Sequence, residues 1–203
     1  MIKCNITVCG TISRDAIIRN GKEGKQFVSM TVQTAIQGKE GQSGAVEISV
    51  SMDITQKEAA RLQSGIRVKV TGILIPKHRG DKTYFNLSAE SIIPAGEDDT
   101  DSLRGELIFR GKIGKTVDER TDKNGKPFFS FSAFSAEKVD ENFEYLWVRF
   151  ICFDKQREAW LQPATKIEAK GEIDLSLYNG KVDITCRCIR VRKDYGATAV
   201  LLR

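Results

Sequence analysis

The sequence predicts an all-β chain of two tandem five-stranded barrels, each with a short helix between its third and fourth strands. Three observations carry this expectation: an internal repeat, a period-two alternation of apolar residues, and one helix-compatible stretch per copy. Slid against itself by 101 positions, the chain matches Gly10 with Gly111, Ile12 with Ile113, Gly24 with Gly125, Lys25 with Lys126, Phe27 with Phe128, Ser29 with Ser130 and Ala35 with Ala136. At a shift of 100 Glu58 meets Glu158 and Ala59 meets Ala159, and at 99 Leu62 meets Leu161, Gly72 meets Gly171 and Lys82 meets Lys181. Two copies of one small domain are the economical reading. They occupy residues 1–93 and 105–203, joined by an acidic linker at 94–104 whose proline, glycine and four acids read as a solvated spacer.

In the second copy, residues 107–115 alternate Phe109, Gly111 and Ile113 with Arg110 and Lys112. A turn around Asp122 to Gly125 leads into a second strand alternating Phe129, Phe131 and Ala133 with Phe128, Ser130, Ser132 and Phe134. The third strand, 145–153, runs into a helix-compatible stretch at 154–161 that Pro163 stops. Residues 166–175 form the fourth strand, and Asn179-Gly180 turns the chain into the fifth, 181–192. The first copy repeats this order with strands at 6–14, 26–35, 46–52, 67–75 and 83–92 and a helix at 55–62. Three strands, a helix and two strands in about 95 residues is the element order of an OB fold, whose helix plugs one barrel end. Trp160, within that stretch, is expected to be part of the plug.

The chain has 203 residues and a net charge of +5, mildly favouring polyanionic partners. The first copy carries +5, the linker −3 and the second copy +3, so neither barrel repels a phosphate backbone. No apolar stretch approaches the roughly 20 residues that span a bilayer, and residues 1–10 lack the core of a secretory signal, so a cytoplasmic protein without membrane association is expected. The single histidine, His78, excludes mechanisms that need two imidazoles, and no phosphate-binding glycine loop is present. Five cysteines without framework spacing read as small buried hydrophobes. The expectation is a binding protein rather than an enzyme, with no cofactor, no metal and no small-molecule substrate.

Trp147-Val-Arg-Phe-Ile-Cys-Phe-Asp154, then Glu158-Ala-Trp-Leu161 and the strand from Lys166 to Gly171, resemble the third-strand, helix and fourth-strand block of the bacterial single-stranded DNA-binding protein family. Asn124-Gly125 through Phe134 is similar to that family's second strand. The resemblance implies sequence-independent binding of single-stranded DNA in replication, recombination or repair. It also implies a homodimer presenting four OB folds. The family commonly ends in an acidic recruiting tail, whereas this sequence closes on Ala-Thr-Ala-Val-Leu-Leu-Arg203, so recruitment by that route is not expected.

Such binding needs flat rings for bases and cations for phosphates. If Val148, Phe150 and Cys152 fill the second barrel, Trp147, Arg149, Ile151 and Phe153 must face outward, as must Phe128, Phe134, Arg110 and Lys112. Lys126 in the adjoining turn and Tyr178 in the last hairpin complete the candidates of this copy. The first copy is poorer, with Glu47, Ser49, Ser51 and Asp53 in the outward third-strand positions. Its candidates are Arg14, Lys25, Phe27 and the hairpin at 76–84, where Lys77 and Arg79 accompany Tyr84. Outward aromatics also serve as protein interfaces, so a primosome-like protein–protein adaptor stays open, as does an RNA-binding OB protein.

Overall fold

In the computed structural model, which describes residues 1–21, 24–38, 43–53, 55–153 and 156–196, ten strands and one helix follow the expected order. The first copy contains β1 (Ile2–Asn20), β2 (Gln26–Gln37), β3 (Ser43–Met52), α1 (Gln56–Ala59), β4 (Arg67–Arg79) and β5 (Lys82–Pro94). The second contains β6 (Ser102–Thr121), β7 (Pro127–Val139), β8 (Asn142–Phe153), β9 (Lys166–Tyr178) and β10 (Lys181–Lys193). The chain divides into two compact units. One joins Lys3–Gly105 to the hairpin tip Leu175–Val182, and the other holds Glu106–Asp174, the residues from Asp183 onward, and Met1–Ile2.

Each copy closes a barrel in the same way. In the first, β1 pairs antiparallel with β2 and β4, β2 with β3, and β4 with β5, while a short parallel seam joins β3 to β5. In the second, β6 pairs with β7 and β9, β7 with β8, and β8 runs parallel to β10. This is the five-stranded Greek-key closure of an OB fold. The first strand serves both sheets of its barrel by bending at a register shift, after Ile12 in β1 and after Ile113 in β6. The strands continue past this bend, so they are longer than the alternating runs alone suggest.

The repeated glycines have a packing reason. A Cβ on Gly10 would lie 2.3 Å from the Gln33 carbonyl oxygen, and one on Gly111 2.2 Å from that of Phe134. Inside the second barrel the rings of Phe109 and Phe150 meet edge to face at 5.0 Å, and Phe131 stacks on Phe150 at 5.0 Å. Each such pair adds about 0.5–1.5 kcal/mol beyond the area it buries. The first barrel is filled by aliphatic side chains around Phe85, which is 2% exposed. All five cysteines are buried and unbridged, and burial pushes the Cys4 thiol up to about 12.

Three expectations need correction. The first concerns the helices. In the first copy Thr55 and Glu58 form a capping box, the Glu58 N–H donating to Thr55 Oγ1 at 3.4 Å and the Thr55 N–H to Glu58 Oε2 at 2.9 Å, yet the helix is a single turn. In the second copy the described residues 156–165 form only turns, and Asp154 and Lys155 lie outside the described residues, as do 197–203. The second correction follows from the first: Trp160 does not plug the barrel. It stays partly exposed, its Nε1–H donating to Glu158 Oε2 at 2.5 Å, and Leu161 is the buried residue, at 1% exposure.

The third concerns the linker, which is not a free spacer. Asp101 accepts from Arg67 Nη1 at 2.6 Å and from the Ala35 N–H at 2.9 Å, and Asp99 accepts from Lys69 Nζ at 2.9 Å. The Lys69 bond, with that from the Gly96 N–H, holds the Asp99 carboxyl below the usual aspartate range. Residues 102–104 already belong to β6. Arg67 and Lys69 on β4 supply the cations that draw the acidic segment onto the first barrel.

Gly65 and Ala164 occupy matching turns: the Gly65 N–H donates to the Ile12 carbonyl at 2.9 Å and the Ala164 N–H to that of Ile113 at 3.0 Å. Both are left-handed, with φ of 89° and 63°. Alanine is strained there by about 1–2 kcal/mol and glycine is not, although glycine costs about 0.5–1 kcal/mol more entropy. Ala164→Gly is therefore expected to stabilise the second barrel by about 0.5–1 kcal/mol in urea denaturation, whereas the same change at an extended alanine such as Ala136 should destabilise.

Candidate nucleic-acid interface

The outer face of the second barrel follows from what its inside holds. Val148, Phe150 and Cys152 are completely buried on β8, and Phe129, Phe131 and Ala133 on β7 are 3% exposed or less. The intervening residues must then face out. On β8 this outward stripe is Phe143, Tyr145, Trp147, Arg149, Ile151 and Phe153. Across the strand pair stand Lys138, Ala136, Phe134, Ser132, Ser130 and Phe128, each directly opposite its β8 partner.

The rings gather into two clusters. Near one end Phe134 lies 4.9 Å from Trp147 at 51° and meets Tyr145 edge-on at 5.5 Å. Trp147 is 50% exposed, Tyr145 47% and Phe143 57%. Towards the other end Phe128 and Phe153 lie 5.3 Å apart, with the Arg187 guanidinium 5.1 Å above the Phe153 ring. Six residues of strand separate Trp147 from Phe153, a distance of roughly 20 Å. Between the clusters, Arg149 stands opposite Ser132 on β7 and Thr185 on β10. Gly114 leaves room beneath the indole, since a Cβ there would sit 3.0 Å from Trp147 Cζ3.

The cations are distributed unevenly. Lys112 stands opposite Phe134, and Arg120 opposite Phe128, where it also lies 3.7 Å from Asp118. Lys126 is exposed in the turn closed by Asp122, whose Oδ1 accepts the Lys126 N–H at 2.8 Å. Arg110 is not with them. It pairs across to β9, where Glu168 takes its guanidinium together with that of Arg192, and Asp194 lies 3.8 Å away. Those hydrogen bonds, first from Arg110 and then from Arg192, hold the Glu168 carboxyl below its usual range. Tyr178 is exposed in the hairpin tip that groups with the first barrel.

The first barrel carries its candidates in two places. Arg14 lies 3.3 Å from Glu47, and Lys25 pairs with Asp53, beside the half-exposed Phe27. On the β4–β5 ribbon, Lys77 stands opposite Tyr84 and Arg79 opposite Lys82, so three cations and a half-exposed tyrosine share one side. That ribbon is regular paired strand up to its tip at Gly80-Asp81.

Phe143, Tyr145 and Arg187 were not among the candidates read from the sequence. Phe143 and Tyr145 continue the alternation two and four residues before Trp147, and Arg187 sits between the buried Cys186 and Cys188. Among the described residues there is no group of three metal-ligating side chains, and no helix is long and apolar enough to cross a membrane.

No protein-family model matches the chain, and no curated protein matches it. Among solved structures it is similar to the wild-type single-stranded DNA-binding protein of Thermus aquaticus, with 15% identity over 98% of this chain and 95% of that one and a TM-score of 0.49. A deletion mutant of the same protein gives 16% identity, 97% and 95% coverage and a TM-score of 0.49. The Plasmodium falciparum SSB in complex with ssDNA is similar over 46% of this chain and 95% of that chain, with 14% identity and a TM-score of 0.36.

The Glu168 cluster has a pH signature. Its carboxyl is depressed below the ordinary value of 4.5, so its contribution to stability is present above that value and is lost as pH falls through the lowered one. The stability gap between wild type and Glu168→Gln should therefore be open at about pH 7 and close towards about pH 3, as read from thermal melts. A gap that does not change with pH would contradict the assignment.

Proposed function

We propose that the chain binds single-stranded DNA with little sequence preference, stacking bases on the outer β7–β8 face of the second barrel while lysines and arginines follow the phosphates. The observation that carries this reading is the outward stripe on β8, where three exposed aromatic side chains, then an arginine, an isoleucine and a further ring, stand in period two. Outward rings in two clusters, exposed at Phe143, Tyr145 and Trp147 and half-buried at Phe128, Phe134 and Phe153, with Arg149 between them, suit unpaired bases, because every base has a face to stack and only unpaired bases expose it. The resemblance of the segments around Trp147 and Phe128 to the bacterial single-stranded DNA-binding family points the same way.

The protein acts in this reading as a cytoplasmic coating agent for DNA exposed during replication, recombination or repair, and it binds without catalysis. It assembles as a homodimer that offers four barrels. The face carries cations at Lys112, Lys126, Arg149 and Arg187, so affinity falls with salt at about −0.7 in log-log slope for each phosphate neutralised.

The test is a fluorescence titration of the full chain with oligothymidylate and with duplex DNA at two salt concentrations. Single strands should quench tryptophan emission and bind more tightly than duplex. Trp147→Ala should lower affinity by about 1–3 kcal/mol, roughly 5- to 150-fold. Single-strand affinity unchanged in that variant would remove the proposed face, and no binding of either DNA would leave the exposed rings to a protein partner. Tighter binding of oligouridylate than of oligothymidylate would redirect the reading to RNA.

A further inference from the structure

We infer that the β2–β3 face of the first barrel is a backbone-binding surface kept weak by its own carboxylates, Glu47 and Asp53, which compete with phosphates for Arg14 and Lys25. This rests on the single-stranded DNA reading above and concerns how that activity is divided between the copies.

The repeat makes the positions comparable. Gln33 stands opposite Glu47 in the first copy where Phe134 stands opposite Trp147 in the second. Asp53 takes the place of Phe153 at the end of the third strand. Each carboxylate has therefore replaced a ring, and each holds a cation of the same face: Glu47 lies 3.3 Å from Arg14, and Asp53 pairs with Lys25, the counterpart of Lys126. Phe27, matching Phe128, remains beside them.

Fold stability gives no reason for these pairs. The four side chains are 55–75% exposed, and ion pairs in that setting contribute little to folding. Their effect is on what approaches. A phosphate reaching Arg14 or Lys25 must displace a carboxylate and remain near its negative charge, so two cations count for almost none. Such pairs exchange readily, so the surface is dimmed rather than blocked.

The test is a gain of binding. Glu47→Gln with Asp53→Asn should raise the affinity of the full chain for oligothymidylate about tenfold at moderate salt and steepen the log-log salt slope by about 1.4, two cations at about 0.7 each. A control, Glu90→Gln with Glu172→Gln, makes the same change in net charge elsewhere on the surface and should move both quantities far less. Thermal melts of both variants should match wild type. An unchanged affinity and slope, or a gain no larger than the control's, would overturn the inference while leaving the proposed function in place. Wild-type protein that does not bind oligothymidylate at all would remove the proposed function, and this inference with it.

Discussion

Closing five strands around Phe109, Phe129, Phe131 and Phe150 is the constraint from which the rest of the second barrel follows. Once those rings fill the interior, strand geometry leaves their neighbours no position but outside, and the neighbours include Phe128, Phe134, Trp147 and Phe153. Exposed aromatic surface is therefore built into the way this sequence closes. Its direct cross-strand pairing gathers the rings into clusters instead of scattering them.

The first barrel shows the same scaffold carrying different chemistry. Its closure repeats the second's down to the bend after the equivalent isoleucine and the close approach at the equivalent glycine. Its interior is aliphatic around a single phenylalanine, and its outer β2–β3 face holds Phe27, serines, a threonine, two glutamines and two acid–base pairs. A further group of cations lies on the β4–β5 ribbon, where Lys77, Arg79 and Lys82 share a side with Tyr84. Duplication preserved the features that close a barrel and left the outward positions to diverge, since nothing in the interior depends on them.

Where the chain obeys period two, the sequence was readable to within a few residues, because inward and outward positions differ in chemistry at almost every step. Gly10, Gly111, Gly72 and Gly171 could be aligned before their steric reason was visible. Reading failed where local chemistry rather than alternation decides. In the second copy the described residues 156–165 form turns although their composition is compatible with a helix, and Trp160 stays partly exposed there. The acidic segment at 96–101 looked solvated because its partners, Arg67, Lys69 and the Ala35 N–H, are distant in sequence. Arg110 alternates with Lys112 yet is taken up by Glu168 of β9, whereas Lys112, where β6 passes from β9 to β7, stands opposite both Lys166 and Phe134. Among the missed residues, Phe143 and Tyr145 needed only the alternation carried further back.

Photocrosslinking of the full chain to a halogenated oligodeoxyuridine, with the adducts located by mass spectrometry, tests most directly whether unpaired bases rest on this face. Adducts are predicted on Trp147, Tyr145, Phe134, Phe128 or Phe153, with few on the outward positions of β2 and β3. Adducts confined to the first barrel, or absent from β7 and β8 under conditions where the oligomer is bound, would contradict it.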